Sequence, residues 1–159
     1  MFKCLLVLTL CSFSVSAQTI HFSEEKYFDS LEMTFYKKGE ITFFKNKIII
    51  VYENDISILT YSNSKLIKQE GSERKVLDLR TKPAIKMFFI LFEAVYFDKK
   101  KILESYFSLK TNNGVTSLTP HKVIAKYIES VEYQKKGKQL RFLKINLTNN
   151  DRILIEENY

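Results

Sequence analysis

The sequence predicts a mainly β (α+β) fold: a curved antiparallel sheet, an incomplete barrel, with mid-chain helices covering its concave face. Three observations carry this. Short apolar-polar alternations separated by turn residues recur on both sides of the chain's middle. The middle itself switches to a three- and four-residue apolar period. Glycine and proline are scarce, four and two, so the elements are joined by short turns and not by linkers.

In chain order, residues 31–35 alternate apolar and polar, and Lys37-Lys38-Gly39 reads as a turn. Residues 40–45 resume as a strand with Ile41 and Phe43 on one face. After Asn46-Lys47, residues 48–52 form a β-branched run that is apolar on both faces, so both sides should be covered or one should face a cavity. Glu53-Asn54-Asp55 turns the chain into a strand at 56–61, and Ser62 to Lys65 turns it into another at 66–70, closed by Gly71. Residues 18–30 receive no element.

Pro83 then stands where a helix can begin. Ile85, Phe88, Phe89, Phe92, Val95 and Tyr96 follow at helical spacing as one wide apolar stripe. A second short helix is expected over 99–105. The last third returns to strand at 106–110 and 115–119, joined through Thr111-Asn112-Asn113-Gly114, a hairpin signal. A helical turn at 121–126 precedes strands at 128–133, 138–147 and 153–157. The total is about eight to ten antiparallel strands. Helices between two such sets must pack on a sheet face. Pattern alone favours the aromatic stripe as core; the sharper alternative is that helix and sheet enclose an apolar cavity for a lipid.

Residues 1–17 stand apart. Lys3 gives a positive start, residues 4–10 are an apolar run too short to span a bilayer, and Ser14-Val15-Ser16-Ala17 offers small residues for a signal peptidase. The reading is a secretory signal cleaved after Ala17, with residues 18–159 as one domain working in the periplasm. Both cysteines, Cys4 and Cys11, fall in that segment, and Leu10 before Cys11 argues against lipid attachment. A secreted animal domain would carry disulfides, whereas a bacterial periplasmic one need not.

The formal net charge is +7. The basic residues are spread along the chain, not gathered on one element with interleaved aromatics, so no nucleic-acid partner is expected. Of the two histidines, His21 lies near the mature N-terminus and His121 follows Pro120 in a turn; neither has a cysteine, a metal-spaced histidine or a nucleophile elbow nearby. Glu24-Glu25 and Glu156-Glu157 are adjacent pairs that point to opposite strand faces and read as solubilising charges. The expectation is no enzyme, no cofactor and no metal; a hydrolase using His121 is a remote alternative.

The order of elements resembles the LolA family, periplasmic carriers of outer-membrane lipoproteins. The stretches that carry the resemblance are Gly39-Glu40-Ile41-Thr42-Phe43, the strand at 47–52, Ile58-Leu59-Thr60-Tyr61, the hairpin ending in Leu118-Thr119-Pro120, and the closing segments 140–145 and 151–158. The resemblance implies an open barrel closed by helices, whose apolar cavity shields acyl chains, and a monomer that works between an inner-membrane release complex and an outer-membrane acceptor. On this basis the expected cavity residues are Phe35, Phe43, Ile50, Tyr52, Leu59 and Tyr61 from the sheet and Phe88, Phe89 and Phe92 from the helix. The family's strand arginine is absent, with Ile49 in its place, so its gating does not transfer. The competing reading is an exported protein-binding or sensor module on the same half-barrel.

Overall fold

The computed structural model describes residues 17–158. The expected signal segment, Ala17 excepted, lies outside the described residues.

Strand formation begins earlier than the sequence suggested. β1 (Gln18–Phe28) is an eleven-residue strand. It alternates Ile20, Phe22 and Glu24, all buried, with His21, Ser23 and Glu25, which are more exposed. A short 3-10 turn at Asp29–Leu31 leads into β2 (Met33–Phe44). β2 runs straight through Lys37-Lys38-Gly39, so the turn expected there does not exist. Gly39 is instead a buried mid-strand residue opposite Tyr52.

A meander of β3 (Lys47–Tyr52), β4 (Ser57–Ser62), β5 (Lys65–Glu70) and β6 (Glu73–Asp78) follows. The chain then passes through α1 (Pro83–Tyr96) and α2 (Lys100–Tyr106). β7 (Phe107–Asn112), β8 (Val115–Pro120), β9 (Ile128–Lys136), β10 (Gln139–Leu147) and β11 (Arg152–Asn158) form a second meander. Asn113 and Gly114 both have positive φ, 50° and 78°, as a tight two-residue hairpin demands.

All eleven strands form one antiparallel sheet in the order β6-β5-β4-β3-β2-β1-β11-β10-β9-β8-β7. β1 sits between the two meanders, paired with β2 on one side and β11 on the other. The two outer strands, β6 and β7, are not paired with each other, so the barrel stays open. The helical segment is the chain's own link between those two edges. It lies against the concave face.

The expected helical stripe widens in the structure. Seven side chains between Met87 and Tyr96 are buried, and Phe88 and Ile90 are partly so. A helix apolar around most of its circumference belongs inside a fold, and here the sheet curls around it. Ile85, at the expected start of the stripe, is 37% exposed. The outer face of β3 is not covered as expected: Ile49 is half-buried and Val51 is exposed, while Ile48, Ile50 and Tyr52 point inward.

Candidate functional site

Register places most of the expected cavity residues on one face. Phe43 pairs with Ile48 and Ile48 with Tyr61; Ile50 pairs with Leu59; Tyr52 lies opposite Gly39. Directly paired residues share a face, so Phe43, Ile50, Tyr52, Leu59 and Tyr61 all look toward the helix side. α1 meets them with its rings. Phe89 stacks on Tyr61 at 4.5 Å and 5° between planes. Phe43 stacks on Tyr96 at 4.5 Å, with Phe92 at 5.5 Å and Phe97 at 5.1 Å. Phe88 completes the group, parallel to Phe92 at 6.1 Å.

This face is therefore filled. Phe92 is 0% exposed, and Phe43, Ile50 and Phe89 are buried beside it. In the closed arrangement these residues are core, and a guest reaches them only when α1 moves. Phe35 is the exception to the expected set. It has the inward parity of Ile41 and Phe43, but it lies beyond the reach of the helix, 43% exposed, with its ring edge-to-face against Phe28 at 5.6 Å.

The attachment of α1 is uneven. Its C-terminal end is tied by Lys135 of β9, which donates to the Tyr96 carbonyl at 2.8 Å and pairs with Asp98 at 2.7 Å. A cation there also meets the negative end of the helix dipole. Gln18 donates to the Tyr96 hydroxyl at 2.9 Å. Among the described residues, no side-chain hydrogen bond ties residues 83–92 to the sheet; apolar contact alone holds them.

A polar cluster that the sequence did not suggest sits further along the same face. Glu24 is 4% exposed, so its role is not the solubilising one expected. It accepts a hydrogen bond from the Tyr52 hydroxyl at 3.0 Å and pairs with Lys26 at 3.0 Å. Lys37 caps the cluster, 4.5 Å above the Tyr52 ring and 3.7 Å from Asp55. The signal was the period-two run Ile20, Phe22, Glu24, Lys26, masked because Ser23-Glu24-Glu25-Lys26 is polar throughout.

Burial, and then the neighbouring Glu24 charge, push the Tyr52 phenol far above its ordinary range. Burial also raises Tyr96 to about 12. In the unfolded chain a tyrosine ionises near 10. The stability held by these two protonated phenols is thus fully present below that pH and is lost as pH climbs through the folded values. Spectrophotometric titration at 295 nm should show Tyr96 ionising only near pH 12 and Tyr52 later still. Simultaneous ionisation of all tyrosines near pH 10, in a folded chain, would contradict the Glu24–Tyr52 geometry.

Beside this cluster lies an open depression of about 640 Å³, lined by β1, β2, β11 and the turn after β3. The histidines stand apart from it. His21 lies 3.5 Å from Glu40 on an exposed strand position. His121 bonds Ser108 at 3.2 Å, also exposed. Among the described residues, no three His, Cys, Asp or Glu side chains are grouped to hold a metal ion, and no helix is long and apolar enough to cross a membrane.

No protein family matches the chain, and no curated protein matches it.

Proposed function

We propose that the protein is a periplasmic carrier that holds the acyl chains of lipoproteins between its concave sheet face and α1, and passes them from inner to outer membrane. The observation behind this reading is that residues 83–92 of α1 meet the sheet through apolar contact alone, while polar bonds hold the flanks, at Tyr96 and Asp98 after it and at the Leu79 N–H before it. Apolar burial and dispersion are non-directional, so an acyl chain can take the place of Phe88, Phe89 and Phe92 against Phe43, Ile50, Leu59 and Tyr61 without stranding a hydrogen bond. Each methylene brought out of water contributes about 0.8 kcal/mol. A chain of a dozen or more methylenes therefore compares with the helix contacts it replaces. An inner-membrane release complex and an outer-membrane acceptor are the partners this task requires; it requires no catalytic group.

The test is native mass spectrometry of the exported protein, organic extraction of what co-purifies, and the same measurement on Phe88→Asp. Phe88 is half-buried, so this variant keeps its fold. Phe92→Asp is unsuitable, since a carboxylate at a fully buried position unfolds the domain. Wild-type protein should carry or accept acylated lipoprotein, and Phe88→Asp should bind at least tenfold less while its far-ultraviolet dichroism is unchanged. Undiminished binding by Phe88→Asp removes the helix from the site. A wild-type protein that is empty and takes no lipoprotein from membranes assigns the concave face to a protein partner.

A further inference from the structure

The sheet has an internal gap. β3 ends at Tyr52, opposite Gly39, while β2 continues in the other direction to Met33. The last bond across this seam runs from the Glu53 N–H to the Lys38 carbonyl at 2.9 Å. In a strand, the peptide groups of every second residue face the same neighbour. Tyr36 and Thr34 therefore present their N–H and C=O groups to the place where β3 would have continued. On the far side of β2 the same residues are backed by β1, Tyr36 opposite Glu25 and Thr34 opposite Tyr27. The gap is a short strand edge held on a rigid hairpin. The bond from the Asp29 N–H to Asp151 at 2.9 Å fixes that hairpin to the turn before β11.

The 640 Å³ depression opens along this edge, with Tyr36 and Lys38 on one side and Glu53 to Asp55 on the other. Five carboxylates line it against two lysines, in a chain whose net charge is +7. Glu24, Glu25 and Asp55 are satisfied by Lys26, Arg152 and Lys37. Glu53, at the β3 end of the gap, and Glu156, two strands away on β11, have no ion-pair partner among the described residues, and the Tyr36 ring, on the same lining, is 73% exposed. An exposed ring and an unpaired carboxylate flanking one edge suit a cation.

The geometry points to strand addition: this gap docks an extended, lysine- or arginine-bearing segment of a partner protein. The segment pairs its backbone with Tyr36 and Thr34 in line with β3 and lays its cationic side chains on Glu53 and the Tyr36 ring. Main-chain pairing supplies the attachment and the alternating side chains supply the selectivity. This surface is separate from the contact between α1 and the concave face, so it stands or falls independently of lipid binding.

The test uses two fluorescein-labelled, end-capped hexapeptides, one alternating Lys and Val and one alternating Glu and Val, titrated by fluorescence anisotropy against the full domain. The Lys–Val peptide should bind at least tenfold tighter than the Glu–Val peptide and weaken as salt rises. Its amide shift perturbations should centre on residues 34–38 and 53–55. Tyr36→Ala removes the ring and keeps the edge N–H; Tyr36→Pro removes both. Proline is tolerated at such an edge because that N–H is not spent on β1. Alanine should weaken binding about threefold and proline at least tenfold. Equal effects of the two variants, equal affinity for both peptides, or no binding of the Lys–Val peptide at millimolar concentration would overturn the proposal. So would concentration-dependent dimers that protect the same amides, since a second copy would then be the occupant.

Discussion

Phe92→Ala is expected to lower the unfolding free energy by about 3–5 kcal/mol, the range for truncating a fully buried phenylalanine. Phe92 is 0% exposed and touches both layers, Phe43 on the sheet at 5.5 Å and Phe88 on its own helix. Neither neighbour can collapse into the vacated space, because Phe43 is already held by Tyr96 and Phe97. For a domain of this size the loss should appear as a drop in melting temperature of roughly 10 °C. Phe88→Ala, at a half-buried position one turn earlier, should show less than half of it. Urea denaturation of the two variants side by side checks both; similar losses would mean that the helix does not seat as described.

Gly39→Val should be more damaging still. A Cβ on Gly39 would stand 2.2 Å from the Val51 carbonyl oxygen and 3.0 Å from the Tyr52 Cα. These are backbone atoms of the paired strand, so no side-chain rotation relieves the overlap. β3 must move away from β2, and the bonds of the seam from Gly39 to Phe44 loosen together. We expect Gly39→Ala to cost several kcal/mol and Gly39→Val to prevent accumulation of folded protein, as judged by soluble yield and thermal melting. A Gly39→Ala protein with wild-type stability would show that β2 and β3 are not so close. The same replacement at Gly137 meets nothing within 4 Å, and the only strain there is its φ of +64°; the contrast separates crowding from conformational strain.

Gly39 also shows where sequence reasoning ended. A glycine after two lysines is the ordinary sign of a turn, and the same letters serve a strand that must pass close to its neighbour. Lys37, placed in that turn by the sequence, is instead a strand residue whose ammonium lies over the Tyr52 ring. β1 stayed hidden because Glu24 and Lys26 satisfy each other on the inner face, which removes the apolar-polar alternation by which a strand is recognised. β6 was missed for the opposite reason. Glu73, Arg74 and Lys75 are exposed on both faces, as suits an outer strand that must repel other edges. With the segments at 31–35 and 40–45 merged into the single β2, adding β1 and β6 gives the eleven strands observed.

The helix was legible because Pro83 marks its start and its rings recur at a fixed period. The second meander was legible because Asn113-Gly114 admits few alternatives to a hairpin. The gathering of Phe43, Ile50, Leu59 and Tyr61 on one face was legible once the strands were in phase. The Glu24–Tyr52 pair was not, since it joins residues from two strands, one of which the sequence did not disclose.

The position of β1 sets the order in which the molecule can be assembled. Its bonds to β11 join residues far apart in sequence, His21 with Asn158 and Tyr27 with Arg152. Each meander is built from neighbours and can form as it emerges, but no strand pairing joins one to the other until residues 152–158 arrive. Contacts of such long sequence separation form late in folding. A polypeptide threaded through a membrane with its N-terminus first would therefore become one sheet only on the far side, once its last strand had followed.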